Sequence, residues 1–136
     1  MAHAIAANGD LVMGFLDDGL PVGSLVNGIS VLGALSQARE LHQLLVVSDQ
    51  GPPDHVVVAI GNPVLRQTWH QLLEQAAAPL AVVSHPRANV SASAQVAPGC
   101  GVLAGAVVNA NACLHPGLLV NSGAVVDHDA ICGAYS

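Results

Sequence analysis

The sequence predicts two architectures in one chain: an α/β layer with a parallel sheet over residues 1–84, then a parallel β-helix over residues 85–136. Three observations carry this prediction. Before His85-Pro86, continuous apolar strand runs alternate with helix-like segments, the pattern of parallel strands buried on both faces. From Val90 onward an aliphatic residue recurs every sixth position, a period that fits neither a helix nor a simple strand but does fit hexapeptide coils. The composition suits both halves: 52% of the 136 residues are hydrophobic, 9% charged and 2% aromatic. The core therefore has to be built from Val, Leu, Ala and Ile.

Each element has its own signal. Leu11 to Leu16 is a short apolar run closed by Asp17-Asp18-Gly19, a strand ending in a turn. Ser36 to Leu45 offers an N-capping Ser and places Leu41, Leu44 and Leu45 on one face, which predicts a helix. His55 to Ile60 is a β-branched strand ending at Gly61-Asn62-Pro63. Val64 to Ala78 reads as a helix with Leu65, Trp69, Leu72 and Leu73 on one stripe and Pro79 as its stop. Leu80 to Val83 is a last short strand. Beyond His85-Pro86 the inward register is Val90, Val96, Val102, Val108, Leu114, Val120, Val126 and Cys132. Small residues follow four positions after most of these, at Ala94, Cys100, Ala106, Ala112, Ala124 and Ala130, with Leu118 the exception. Three such hexapeptides make one triangular coil of roughly 18 residues.

Composition also excludes functions. The cations are Arg39, Arg66 and Arg87, with no lysine and a formal net charge of −6, so a phosphate-tracking nucleic-acid surface is ruled out as a reading. No apolar run approaches the roughly 18 residues of a membrane span, and the first ten residues lack a cationic leader region. Cys100, Cys113 and Cys132 are odd in number and show no C-x-x-C spacing, which suits a reducing, cytoplasmic setting.

Several residues invite a chemical reading. His128 lies in VVDHD between Asp127 and Asp129; two flanking carboxylates would raise the pKa of an imidazole that already titrates near neutrality. The alternative is an ordinary polar turn histidine. Neighbours on an extended strand point to opposite sides, so Asp129 can reach His128 only at a corner or across a subunit boundary. Asn109 precedes Asp127 by one 18-residue coil and should stack beneath it. Asp17 and Asp18 end a strand, where doubly wound sheets hold ligands, or they form a solvated turn. Gly61 permits close backbone approach to a ligand. The remaining histidines, His3, His42, His55, His70, His85 and His115, read as surface or structural, with His85 fixing the chain's entry into the β-helix.

Taken together, GFLDD (14–18), VNGISVLG (26–33), VVVAIGN (56–62), SHPRANVSASA (84–94), AGAVVNANA (104–112) and VNSGAVVDHD (120–129) resemble the hexapeptide-repeat sugar acetyltransferases. That family includes the sialic-acid O-acetyltransferases and the N-acetyltransferases of UDP-linked 4-amino sugars. The resemblance implies a Rossmann-like N-terminal domain and a left hand for the β-helix. It makes acetyl-CoA the co-substrate, with no metal, and a sugar nucleotide or sialic-type sugar the acceptor, at an amino or hydroxyl group. It makes His128 the base, Asp129 its acidic partner, Asn121 a substrate-binding residue near that base, and Asp17 and Asp18 contacts to the sugar nucleotide. It also implies a homotrimer with active sites between subunits. Family members open with a strand and a glycine-rich turn, and continue for further coils that bind acetyl-CoA. Here Met1 to Ala4 reads as the helix after that turn, so the resemblance implies a segment truncated at both ends. The competing expectation is a catalytically incomplete trimerisation or nucleotide-binding module. A zinc-dependent hexapeptide carbonic anhydrase is disfavoured, since beyond the His85-Pro86 junction only His115 and His128 lie in the repeat half, 13 residues apart.

Overall fold

A computed structural model describes residues 1–40 and 55–136. The repeat half is a triangular parallel β-helix. Its two-residue strands are β4 (Val83–Ser84), β5 (Asn89–Val90), β6 (Gln95–Val96), β7 (Gly101–Val102), β8 (Val107–Val108), β9 (Cys113–Leu114), β10 (Leu119–Val120), β11 (Val125–Val126) and β12 (Ile131–Cys132). They stack as three parallel sheets, β4-β7-β10, β5-β8-β11 and β6-β9-β12, each in an 18-residue register such as Val90 against Val108. The first strand, Val83–Ser84, thus lies just before His85-Pro86 and already belongs to the coil.

The period-six aliphatic positions form the core. Val102, Val108, Leu114 and Val120 are buried in its middle, together with Cys100, Ala106, Ala112 and Leu118 at the small positions. Val90, Val96, Val126 and Cys132 pack against them from the ends. Seven successive corners carry left-handed residues six apart: Gly99, Gly105, Asn111, Gly117, Gly123, Asp129 and Tyr135. Glycine, Asn and Asp tolerate that backbone region best. This second period is also written in the sequence, and the aliphatic register alone does not reveal it.

The N-terminal half is less regular than the sequence suggests. Helix α1 (Ala2–Ala7) packs against β4, where Asn8 Nδ2 donates to the Ser84 carbonyl at 2.8 Å. Of the Leu11–Leu16 run only β1 (Phe15–Leu16) joins a ladder, parallel to β3 (Ile29–Gly33). β3 also pairs antiparallel with β2 (Leu25–Val26) through the Asn27-Gly28 turn, both of whose residues have positive φ. The hairpin departs from the all-parallel expectation, and Asn-Gly between apolar residues is its sequence signal. The helix expected over Ser36–Leu45 is a 3₁₀ helix, Leu35–Glu40, in its described part; Leu41 to Leu45 and His42 lie outside the described residues. Among the described residues, 55–60 make one parallel bridge, Val56 with Leu80, in place of the expected strand. The β1–β3 ladder and this bridge both line an open, largely apolar groove of about 1160 Å³. Among the described residues no backbone ladder joins them.

Helix α2 (Pro63–Gln75) starts at Asn62, whose Oδ1 accepts from the amides of Val64 and Leu65. Its buried face corrects the predicted one. Arg66, His70 and Leu73 are buried, whereas Leu65 is half exposed. The stripe is shifted because α2 packs on the polar corners of the β-helix as well as on Val58 and Ala38. His70 lies edge-on to Tyr135, with ring centroids 5.4 Å apart, and covers Gly99 and Gly117. A Cβ on Gly99 would collide with the imidazole, and its φ of +75° resists an L side chain. Left-handed strain and overpacking together predict that Gly99→Ala lowers stability by about 2–4 kcal/mol. Thermal unfolding checks this, and an unchanged midpoint would refute the packing of His70 on that corner.

Candidate active site

The turn from β11 to β12 carries the chemistry-bearing residues. The His128 backbone amide donates to Asp127 Oδ1 at 2.8 Å, and His128 Nδ1 lies 2.8 Å from Asp129 Oδ2. Asp129 has φ +58°, and this left-handed corner brings two sequence neighbours onto the same side. The geometric difficulty of adjacent strand residues pointing apart is resolved within one chain. The Asp129 hydrogen bond, followed by the charges of Asp127 and Asp129, holds the His128 pKa above the ordinary imidazole value. The same contact, then the hydrogen bond from Asn111, holds the Asp129 carboxyl below its ordinary value. With Nδ1 engaged by a carboxylate, Nε2 carries the lone pair of the neutral ring.

The pair is open to solvent, 70% and 65% exposed for His128 and Asp129. The flanking strands expose Val125 and Ile131, at 67% and 77%.

The other candidates are spread over the molecule. Asn109 Nδ2 donates to Asp127 Oδ1 at 3.4 Å, so the one-coil stack is present. Asn121 sits at the corner between β10 and β11, exposed; its carbonyl accepts the Ala124 amide, and no side-chain hydrogen bond joins it to His128. Asp17 Oδ1 accepts from Gly19 N at 2.7 Å and shapes its own turn, whereas Asp18 Oδ1 accepts from Leu35 N at 2.8 Å at the start of the 3₁₀ helix. Both follow the carboxyl end of β1. The Gly61 Cα faces open space, while its carbonyl is held by Arg66. Among the described residues, no hydrogen bond or ion pair links Asp17, Asp18 or Gly61 to His128.

His85 is buried beside the exposed His3 ring, and its Nδ1 accepts from Arg87 N at 3.0 Å, bracing the first corner. Burial, then Arg87 and His3, lowers its pKa. Burial pushes the Cys100 thiol up, away from nucleophile chemistry. Among the described residues no three His, Cys, Asp or Glu side chains converge as a metal site, and no helix is long and apolar enough to cross a membrane.

Two residues went unrecognised as important in the sequence. Arg66 donates five hydrogen bonds to carbonyls: Nε to Gly117, Nη1 to Ile60 and Gly61, and Nη2 to Tyr135 and Ser136. Its guanidinium ties the end of the 55–60 segment to two successive coils. Asn111 Nδ2 donates to Asp129 Oδ1 at 3.1 Å. For Arg66 the available signal was its spacing with His70 and Leu73; for Asn111 it was the 18-residue offset from Asp129.

Two-residue strands stacked as three parallel sheets in an 18-residue register define a hexapeptide-repeat β-helix. A scan against protein-family models finds no match, and a search of curated proteins finds none. Solved structures do match. The acetyltransferase domain of PglB from Neisseria gonorrhoeae, in complex with acetyl coenzyme A, is 35% identical with a TM-score of 0.83, over 98% of this chain and 61% of that one. A perosamine N-acetyltransferase variant from Caulobacter crescentus, in complex with CoA and GDP-perosamine, is 30% identical with a TM-score of 0.86, over 98% and 60%. WeeI from Acinetobacter baumannii is 25% identical with a TM-score of 0.71, over 90% and 53%. The chain thus spans about three fifths of the length of the first two. Over the part they share, the chain is similar to these sugar N-acetyltransferases.

Proposed function

We propose that the chain carries the general base and part of the acceptor site of an acetyl-CoA-dependent N-acetyltransferase acting on a nucleotide-linked amino sugar. The observation that carries this is the His128–Asp129 pair on a chain 35% identical to an acetyl-CoA-bound acetyltransferase domain. In the proposed reaction the sugar amine attacks the thioester carbonyl while His128 Nε2 takes the amine proton. The tetrahedral intermediate collapses with C–S cleavage, and the CoA thiolate leaves and recovers the proton from His128. Asp129 stabilises the imidazolium at Nδ1 throughout.

In this reading the N-terminal segment is a Rossmann-like layer that holds the sugar nucleotide, and the β-helix is left-handed. The parallel β1–β3 pair supports the layer, with Asp17 and Asp18 at its carboxyl end and open space at Gly61. Asn121, on the corner before the His128 turn, lines the acceptor site. The exposed Val125 and Ile131 strands beside His128 support a homotrimer whose subunits meet there. The low charge and the free cysteines fit a cytoplasmic protein.

The test is incubation with acetyl-CoA and a nucleotide-linked amino sugar of a protein that joins this chain to the further coils its relatives carry, reading CoA thiol release and acetylated product. Product and a trimer by sedimentation are expected. A folded monomer at micromolar concentration would overturn the assembly, and no product with no sugar-nucleotide binding by calorimetry would overturn the function.

A further inference from the structure

Two polar columns climb the corner that ends at His128. One runs Ser91, Asn109, Asp127; the other runs Ser93, Asn111, Asp129, each step being 18 residues or one coil. In the second column Ser93 Oγ accepts the Asn111 backbone amide at 3.1 Å, and Asn111 Nδ2 donates to Asp129 Oδ1 at 3.1 Å. Asp129 Oδ2 then meets His128 Nδ1 at 2.8 Å. Between the columns the residues in the same 18-residue register are Ala92, Ala110 and His128, and His128 has a carboxylate residue on either side in the chain.

We infer that Asn111 is a positioning residue: its amide fixes Asp129 through one carboxylate oxygen, so that the other holds His128 in a single orientation and tautomer. The inference rests on His128 being the base. An exposed carboxylate at a corner would otherwise rotate freely, and a base that wanders by an ångström loses much of its effect. Asn111 itself stands in the left-handed region, φ +59°, as does Asp129. Both corner residues therefore present their side chains on the same side, one coil apart. The charged groups facing the ring among the described residues are Asp127 and Asp129, and the coil beneath presents only the neutral Asn109, Ala110 and Asn111.

Asn111→Gly removes the amide without straining the left-handed backbone, which Asn111→Ala would strain. Asn111→Asp keeps the shape and the backbone preference but replaces the donor with a second carboxylate. His128 titration by proton NMR and steady-state kinetics on the full chain are the measurements. Asn111→Gly should move the His128 pKa down towards the ordinary value, because the Asp129 contact loosens. Asn111→Asp should move it up, because negative charge is added. Both should lower kcat about tenfold, a fraction of what a complete base contributes, with the sugar-nucleotide KM unchanged. A merely structural Asn would not produce opposite pKa shifts with parallel losses of rate. Shifts of the same sign, or an Asn111→Gly titration indistinguishable from the parent, would overturn the inference. The NMR readout stands even if His128→Asn proves that another group takes the proton, so the two failures are distinguishable.

Discussion

Replacing Arg66 with methionine is expected to lower the unfolding midpoint by roughly 10–20 °C, the largest stability effect of any single substitution away from the hydrophobic core. The side chain is 5% exposed and all its hydrogen bonds go to main-chain carbonyls, from Ile60 and Gly61 on one side and Gly117, Tyr135 and Ser136 on the other. Methionine preserves most of the volume, so the loss isolates the hydrogen bonds from the packing. A buried hydrogen bond to a charged group contributes about 1.5–3 kcal/mol, and five sharing one guanidinium are not additive. A combined loss of about 3–5 kcal/mol follows, against a total stability of about 5–15 kcal/mol. Arg66→Lys should recover less than half, because an ammonium offers three donors from one point and cannot reproduce the planar fork. Calorimetry of the three proteins checks this. A methionine variant melting within about 2 °C of the parent would show that water replaces the guanidinium at those carbonyls.

The repeat half was legible because one physical rule generates it: an aliphatic residue must point inward on each short face, and Val102, Val108, Leu114 and Val120 do so. The N-terminal half was legible only in part. Apolar runs such as His55 to Ile60 give the period of a buried strand, but pairing needs a neighbour at the right edge, and among the described residues Val56 pairs with Leu80 alone. The predicted stripe on α2 followed hydrophobicity, whereas the surface it meets includes a row of corner carbonyls. Arg66 and His70 therefore face inward where Leu65 was expected. At the site, the triplet Asp127-His128-Asp129 was visible as a string. Its geometry depended on the left-handed corner at Asp129, recoverable only by reading the second period of Gly, Asn and Asp. Asn111 combines both requirements, a corner-forming residue and a donor one coil below a carboxylate, and neither is apparent without knowing which residues stack.

His128→Ala is expected to lower kcat by about 10²–10⁴-fold, the contribution typical of a positioned general base. With Asp17, Asp18 and Gly61 holding the sugar nucleotide as proposed, its affinity should stay nearly unchanged, because among the described residues no hydrogen bond or ion pair links them to the His128 corner. The pH dependence follows from the sign of the shift. Only neutral His128 can accept the amine proton, so the rate rises as pH rises through its pKa. The Asp129 hydrogen bond and the two flanking charges raise that pKa, placing the acid limb above that of an isolated imidazole. Asp129→Asn removes one charge and replaces the strongest contact with a neutral one, so the acid limb should move to lower pH. The plateau should fall as well, by less than in His128→Ala, because the imidazolium formed in the transition state loses its stabilising carboxylate. A pH–rate series on the parent and both variants separates these effects. Normal turnover in His128→Ala would remove the imidazole from the mechanism. An acid limb that stays in place in Asp129→Asn would show that the 2.8 Å contact does not govern the titration of the base.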